Sequence, residues 1–291
     1  MGNLRSSEEL SVTAKKSLSE QGFAEVSDYF TASQLDSIEA CILNLYYITS
    51  LKIDEYRETA QEITRSSQSN HVKFEQLYEM MEINDKEALY QVQKFLPSSP
   101  VCRSLFGDKF FSLMCDLMQS DNRVILLDGP ALFVNRPNTE RLLYKWHSEA
   151  HYYPKRRRFL NIWLPLFTDK TRNSGTMSFK VGSHRHNFPF SDYQGFNRDS
   201  QGKANHFVQY EIPNNFVDNF EEHWCESRRG DLVIFDRNLV HRSNYNHSKH
   251  YSVALVARVW DPSDDLTLSG EIGATPYGGN IGRSNLNVAV F

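Results

Sequence analysis

Arg229-Gly230-Asp231-Leu232-Val233-Ile234-Phe235-Asp236 is a glycine turn running into an apolar stretch, with His241-Arg242-Ser243 shortly after it. Far upstream stands Trp146-His147-Ser148-Glu149. Glycine and aspartate ahead of β-branched and aromatic residues mark a strand entered through a turn. In an extended chain residues i and i+2 point to the same side. The spacing therefore predicts that His147 and Glu149 converge while Ser148 faces away. His241 then supplies a third donor from a later strand folded back alongside. Two imidazoles and one carboxylate on one face of an ion are the donor set of non-haem Fe(II) oxygenases, which leaves the opposite positions open for oxygen and a co-substrate. The same donors also suit a zinc hydrolase, so the surrounding pattern has to decide.

That pattern changes once along the chain. The first third reads as helical. Residues 8–21 are amphipathic and end at Gly22, a C-terminal stop. Phe23-Ala24-Glu25-Val26 alternates like a short strand. Thr31 with Gln34 forms a capping box for a helix carrying Leu35, Ile38, Ile42 and Leu45. Helical patterns follow over 52–66, 73–95 and 107–119. After Asp121 the period shortens to that of strands: 124–127, 131–134, 159–164, 177–181, 207–212, 231–235 and 251–260. Asp128-Gly129-Pro130 reads as a turn between the first two. Many short strands separated by turns predict a mainly β fold, an antiparallel sandwich or jelly roll, with the helices packed outside. The organisation predicted is a single domain over 1–291: helical over about 1–120, β core over about 121–262, and a loop-rich tail over 263–291.

Composition fits such a domain. The 291 residues are 40% hydrophobic and 13% aromatic, ample for a core. A formal net charge of −4 argues against a general nucleic-acid or acidic-membrane binder. No apolar run approaches the roughly 20 residues of a membrane span, and no leader-like stretch opens the chain. The four dispersed cysteines, Cys41, Cys102, Cys115 and Cys225, read as buried thiols of a reducing compartment. The expectation is a cytoplasmic protein.

Ordered motifs make the reading specific. These are Gly22-Phe23-Ala24-Glu25-Val26, Trp146-His147-Ser148-Glu149, Asn161-Ile162-Trp163-Leu164-Pro165-Leu166, Asn173-Ser174-Gly175-Thr176-Met177, Val181-Gly182-Ser183-His184-Arg185, Gly230 to Phe235, and His241-Arg242-Ser243. Over about 10–262 the chain resembles the phytanoyl-CoA dioxygenase family of iron(II)- and 2-oxoglutarate-dependent oxygenases. The resemblance implies a double-stranded β-helix (jelly roll, cupin-like) core, with Fe(II) held by His147, Glu149 and His241. It also implies 2-oxoglutarate as co-substrate with O2, and hydroxylation of an unactivated carbon of a small-molecule substrate.

The chain departs from the family pattern twice. Glu149 stands where the family usually has aspartate, which keeps the anionic oxygen and adds one methylene. After the distal histidine the pattern H-x-S-x-x-N-x-S is met by His241, Ser243, Asn246 and Ser248, yet His250-Tyr251-Ser252 fills the slot of the family's Arg-x-Ser. That arginine clamps the far carboxylate of 2-oxoglutarate, and a neutral imidazole would do so weakly. Arg258 shares strand parity with His250 and Ser252, so Arg258, His250, Ser252, Ser243 and Asn161 are the co-substrate candidates. Tyr144, His151 and Arg156, the last within the basic run 155–158, are the substrate candidates, and that run points to a small polar or anionic metabolite. Two alternatives stay open: an iron oxygenase that does not use 2-oxoglutarate, and a degenerate jelly-roll binding protein. His184 and His186 read as structural, and Trp163 as core.

Overall fold

The computed structural model describes residues 7–84, 86–120, 124–140, 143–153, 158–193, 209–262 and 287–290. In chain order the elements are α1 (Ser7–Gln21), β1 (Phe23–Val26), α2 (Ala32–Leu51), α3 (Arg57–Arg65), α4 (Asn70–Asn84), α5 (Lys86–Phe95), α6 (Pro100–Leu105) and α7 (Asp108–Met118). Then come β2 (Val124–Asn135), α8 (Glu149–Tyr152), β3 (Phe159–Leu166), β4 (Met177–Lys180), β5 (Ser191–Tyr193), β6 (Gln209–Glu211), α9 (Asn214–Val217) and β7 (Glu222–Trp224). β8 (Leu232–Asp236), β9 (His241–Ser243), β10 (Ser252–Trp260) and β11 (Asn287–Val290) complete the series.

The helical third follows its local signals. Gly22 ends α1 with φ of 90°, a left-handed conformation that favours glycine. The Thr31 hydroxyl accepts from the Gln34 amide, and the Gln34 side chain accepts from the Thr31 amide, so the capping box is formed. Leu35, Ile38 and Ile42 on α2 are buried as their spacing requires. Two differences are local. The pattern over 73–95 is two helices, α4 and α5, and the unexpected α6 starts at Pro100 with the Ser99 hydroxyl accepting from the Cys102 amide.

The strands form antiparallel sheets. A six-stranded sheet runs β1-β8-β3-β10-β2-β11, and a three-stranded sheet runs β7-β4-β9. Parity divides the faces of the large sheet. Leu160, Ile162, Leu164, Leu232, Ile234, Val253, Leu255 and Val259 turn outward into one cluster with α2, α4 and α7. Trp163, Val233, Phe235 and Ala254 turn inward against Phe179 of the small sheet. Burying such a side chain contributes about 1.5–3 kcal/mol relative to leaving it exposed.

One strand does not keep a single parity. The expected turn at Asp128-Gly129-Pro130 is instead a bulge within the continuous strand β2, where the pairing jumps from Val256↔Ala131 to Arg258↔Asp128. Before the bulge Ile125 and Leu127 face the helices; after it Leu132 and Val134 do. The inserted residue flips the alternation. Proline is tolerated there because a bulge leaves a residue out of the ladder. Phe133 is thereby turned inward, toward the site. Of the tail expected as loop-rich over 263–291 only 287–290 are described, and there Asn287–Val290 form a strand, β11, paired with β2.

Candidate metal centre

Backbone pairing brings the donors together. The His147 amide donates to the His241 carbonyl at 3.0 Å, and the His241 amide returns a bond to His147 at 2.9 Å. The Ser243 amide donates to the Tyr144 carbonyl at 2.9 Å, extending the pairing. The two imidazole centroids stand 4.1 Å apart. Glu149, by contrast, is not in a strand. It is the first residue of α8, after Ser148 in extended conformation, and the Ala150 amide ties that turn to the Arg237 carbonyl.

The second nitrogens fix the tautomers. His147 Nδ1 lies 2.7 Å from the Lys145 carbonyl, and His241 Nδ1 lies 3.0 Å from the Leu239 carbonyl. A carbonyl only accepts, so each Nδ1 carries a proton, and as a metal ligand each ring would present its Nε2 lone pair inward. Those Nε2 atoms are 3.7 and 3.8 Å from Glu149 Oε1. Donors at about 2.0–2.2 Å from one ion at right angles are about 3.0 Å apart, so a sub-ångström contraction closes the set. Burial pushes the His241 imidazole down to about 3, with neighbouring His147 adding to the effect. His241 is therefore neutral, as a ligand must be. Burial alone would raise the Glu149 carboxyl, but the Arg258 guanidinium and the two histidines hold it well below the usual carboxylate range.

Arg258 donates from Nε at 3.0 Å and from Nη2 at 2.7 Å, both to Glu149 Oε2. Oε1 is left toward the histidines. The guanidinium also stacks 4.8 Å from the Tyr153 ring centroid.

A pocket opens beside these donors. Its wall carries the rings of Phe133, Tyr144, Tyr152, Tyr153, Trp163 and Phe235, with Met177, Asn161, Ser243 and Arg258 between them. Two donors on that wall, Asn161 Nδ2 and Trp163 Nε1, are buried and make no hydrogen bond among the described residues. They sit two apart on β3, on its inner face. Trp163, expected as core, therefore also lines the pocket.

Of the expected site residues, His147, Glu149, His241, Tyr144, Asn161, Ser243 and Arg258 line the pocket. Arg258 binds the Glu149 carboxylate instead of reaching past it. His250 lies off the pocket, its Nδ1 3.3 Å from Glu75 Oε2. The Asn246 amide bonds the carbonyls of Asn135 and His250 and so fixes that shortened turn. Ser252 is buried opposite Asn135, outside the pocket wall. His151 on α8 stacks 4.0 Å from Phe190, and burial, with His147 and Arg237 nearby, lowers it to about 4. Arg156 lies outside the described residues. His184 packs structurally: a Cβ on Gly22 would come within 2.6 Å of its ring.

The sequence model of the phytanoyl-CoA dioxygenase family (PhyH) matches residues 18–252. No curated protein sequence matches the chain. Among solved structures, the non-haem α-ketoglutarate-dependent carbocyclase SnoK from nogalamycin biosynthesis is similar at 16% identity, with a TM-score of 0.57 over 99% of this chain and 100% of that one. AviO1 from Streptomyces viridochromogenes Tue57 is 16% identical, with a TM-score of 0.53 over 90% and 98%. The epimerase SnoN, solved with Fe3+, α-ketoglutarate and nogalamycin RO, is 13% identical, with a TM-score of 0.51 over 97% and 99%. At such identities the likeness shows a shared fold. With the family pattern spanning most of its length, the chain belongs to the phytanoyl-CoA dioxygenase family, whose cofactors are iron and 2-oxoglutarate.

Proposed function

We propose that this protein is an Fe(II)- and 2-oxoglutarate-dependent dioxygenase that hydroxylates an unactivated carbon of a small metabolite, on a double-stranded β-helix core within a single domain. The observation that carries the reading is the convergence of two inward Nε2 lone pairs and one carboxylate oxygen beside a pocket. His147, Glu149 and His241 would hold the iron. When bound, iron and 2-oxoglutarate supply the oxidising power drawn from O2, yielding succinate and carbon dioxide. The chain supplies geometry, a dry wall and positioned donors.

Arg258 keeps Glu149 one-ended by occupying Oε2, which leaves the rest of the ion's coordination for co-substrate and oxygen. Neutral donors on the pocket wall, Asn161 Nδ2, Trp163 Nε1 and the Ser243 hydroxyl, would receive the co-substrate's oxygens. Buried donors without partners cost about 1–3 kcal/mol each until satisfied, so an acid that fills them regains that energy. Of the small polar or anionic metabolite expected, the wall favours one bearing a ring. Tyr144 and Tyr152 bring aromatic rings to the wall, and the cation on the described wall is already paired to Glu149.

That same pairing favours a second reading, an iron oxygenase that does without 2-oxoglutarate. One experiment separates the two. Fe(II) and then 2-oxoglutarate are added anaerobically, and the weak visible charge-transfer band of the chelate is followed. The band should form and should vanish in His147→Ala. Iron binding without a band would select the second reading. Loss of iron binding altogether would leave a degenerate binding protein.

A further inference from the structure

His250 fills the slot of the family's arginine yet turns away from the pocket, and the group it joins has the makings of a second metal site. His71 and Glu75 lie one turn apart on α4, and His250 meets them from the turn before β10. His71 Nε2 is 3.3 Å from Glu75 Oε1, and His250 Nδ1 is 3.3 Å from Glu75 Oε2. The Tyr251 carbonyl lies 2.9 Å from His71 Nε2. Donor atoms of the three side chains all lie within 4.8 Å of one another.

These separations suit one ion. Four donors at about 2.0–2.1 Å in a tetrahedron stand about 3.3–3.4 Å apart. The 3.3 Å values are of that size, one to each oxygen of Glu75, so the carboxylate can meet an ion through both oxygens or turn one of them toward both rings. Two imidazole nitrogens and a carboxylate oxygen suit a borderline-soft divalent ion, with the Tyr251 carbonyl or water as fourth donor. His71 is buried, while the His250 side chain is 58% exposed, which gives an ion a way in. Lys170 near His71 opposes a cation, and Glu75 offsets it.

We propose that His71, Glu75 and His250 bind a divalent transition ion of the zinc type, outside the iron centre, and so tie α4 to the start of β10. Binding moves the proton of each imidazole to its other ring nitrogen and replaces the hydrogen bonds that His71 and His250 now make.

Cobalt(II) is the probe, used on full-length His241→Ala so that the iron centre is silenced. This variant should bind one equivalent of Co2+, with the strong visible d–d bands of a four-coordinate ion. Adding His250→Ala, at a side chain that is 58% exposed, should take the stoichiometry from one to zero. Adding Glu75→Gln instead should do the same. Zn2+ should raise the thermal midpoint of His241→Ala and leave that of His241→Ala/His250→Ala unmoved. If His241→Ala binds no Co2+, or binds it equally well after His250→Ala, the three side chains are only a hydrogen-bonded clip and the proposal falls. Neither outcome touches the iron centre, whose test is the charge-transfer band.

Discussion

Removing the guanidinium of Arg258 isolates what that residue does. In the structure it makes two charge-assisted hydrogen bonds to one oxygen of Glu149, at 3.0 and 2.7 Å. The side chains involved are 20% and 12% exposed. Hydrogen bonds to charged groups contribute about 1.5–3 kcal/mol each, and breaking a buried pair costs about 3–5 kcal/mol by stranding the other charge. The residual exposure and the adjacent imidazoles reduce that figure. A coupling energy of about 3 kcal/mol follows.

The assay is a double-mutant cycle of Arg258→Met and Glu149→Gln, by urea unfolding of the metal-free protein with chelator present. Arg258→Met alone should destabilise strongly, and much less when Glu149 is already neutral. A coupling below about 0.5 kcal/mol, the level of an exposed surface pair, would refute the pairing. The same variant discriminates at the level of function. A residue that orients the metal carboxylate puts its loss into Fe(II) affinity, by about 10–100-fold. A residue that clamps 2-oxoglutarate puts it into the KM for that acid. A large rise in that KM with unchanged iron affinity would restore Arg258 to the role expected from strand parity.

Other outcomes follow from the same geometry. Glu149→Asp should weaken Fe(II) binding by about tenfold or more, measured by competition with a chromophoric chelator, because the carboxylate starts from a helical turn and loses reach toward both the histidines and Arg258. Gly175→Ala should cost at least about 2 kcal/mol by urea unfolding, since φ is 73° and its Cβ would stand 2.5 Å from Asn135 Nδ2. Deleting Gly129 should destabilise more, by about 4 kcal/mol, because it removes the bulge and turns Phe133 outward and Val134 inward. Burial pushes the Lys170 amine down to about 7, well below its unfolded value, despite Glu39 and Asp169 nearby. The folded state thus disfavours the charged form, and stability should rise with pH between about 7 and 10.4. Lys170→Met should stabilise by about 2 kcal/mol at pH 7 and by less near pH 10; equal gains at both would refute the burial argument.

The fold was legible where local chemistry and tertiary demand agree. The capping box at Thr31, the stop at Gly22 and the short apolar runs of β3, β8 and β10 each state their element alone. Asp128-Gly129-Pro130 did not, because the same residues that make a turn also make a bulge. Which one forms depends on β10 running past them. No window of sequence contains that partner. Glu149 differs for a similar reason: i, i+2 parity assumed an extended chain, but the Arg237 carbonyl captures the Ala150 amide and starts a turn of helix.

The candidate site divides along the same line. His147 and His241 could be read because a donor at a strand end keeps its role wherever the strand pairs. The clamp could not, because it depends on which of several cations and donors reach one small volume. Arg258, with the right parity, meets Glu149 first; His250, in the right slot, is drawn out by Glu75. Among the described residues, the pocket donors left unpaired are neutral: Asn161 Nδ2 and the indole N–H of Trp163. A tryptophan two residues from an asparagine on a buried strand looks like core in sequence, and its unsatisfied donor exists only once the packing around it is known. On the proposed reading the missing arginine is a redistribution of charge: the long carboxylate at 149 takes the cation of Arg258, and the acid-binding duty would pass to uncharged donors.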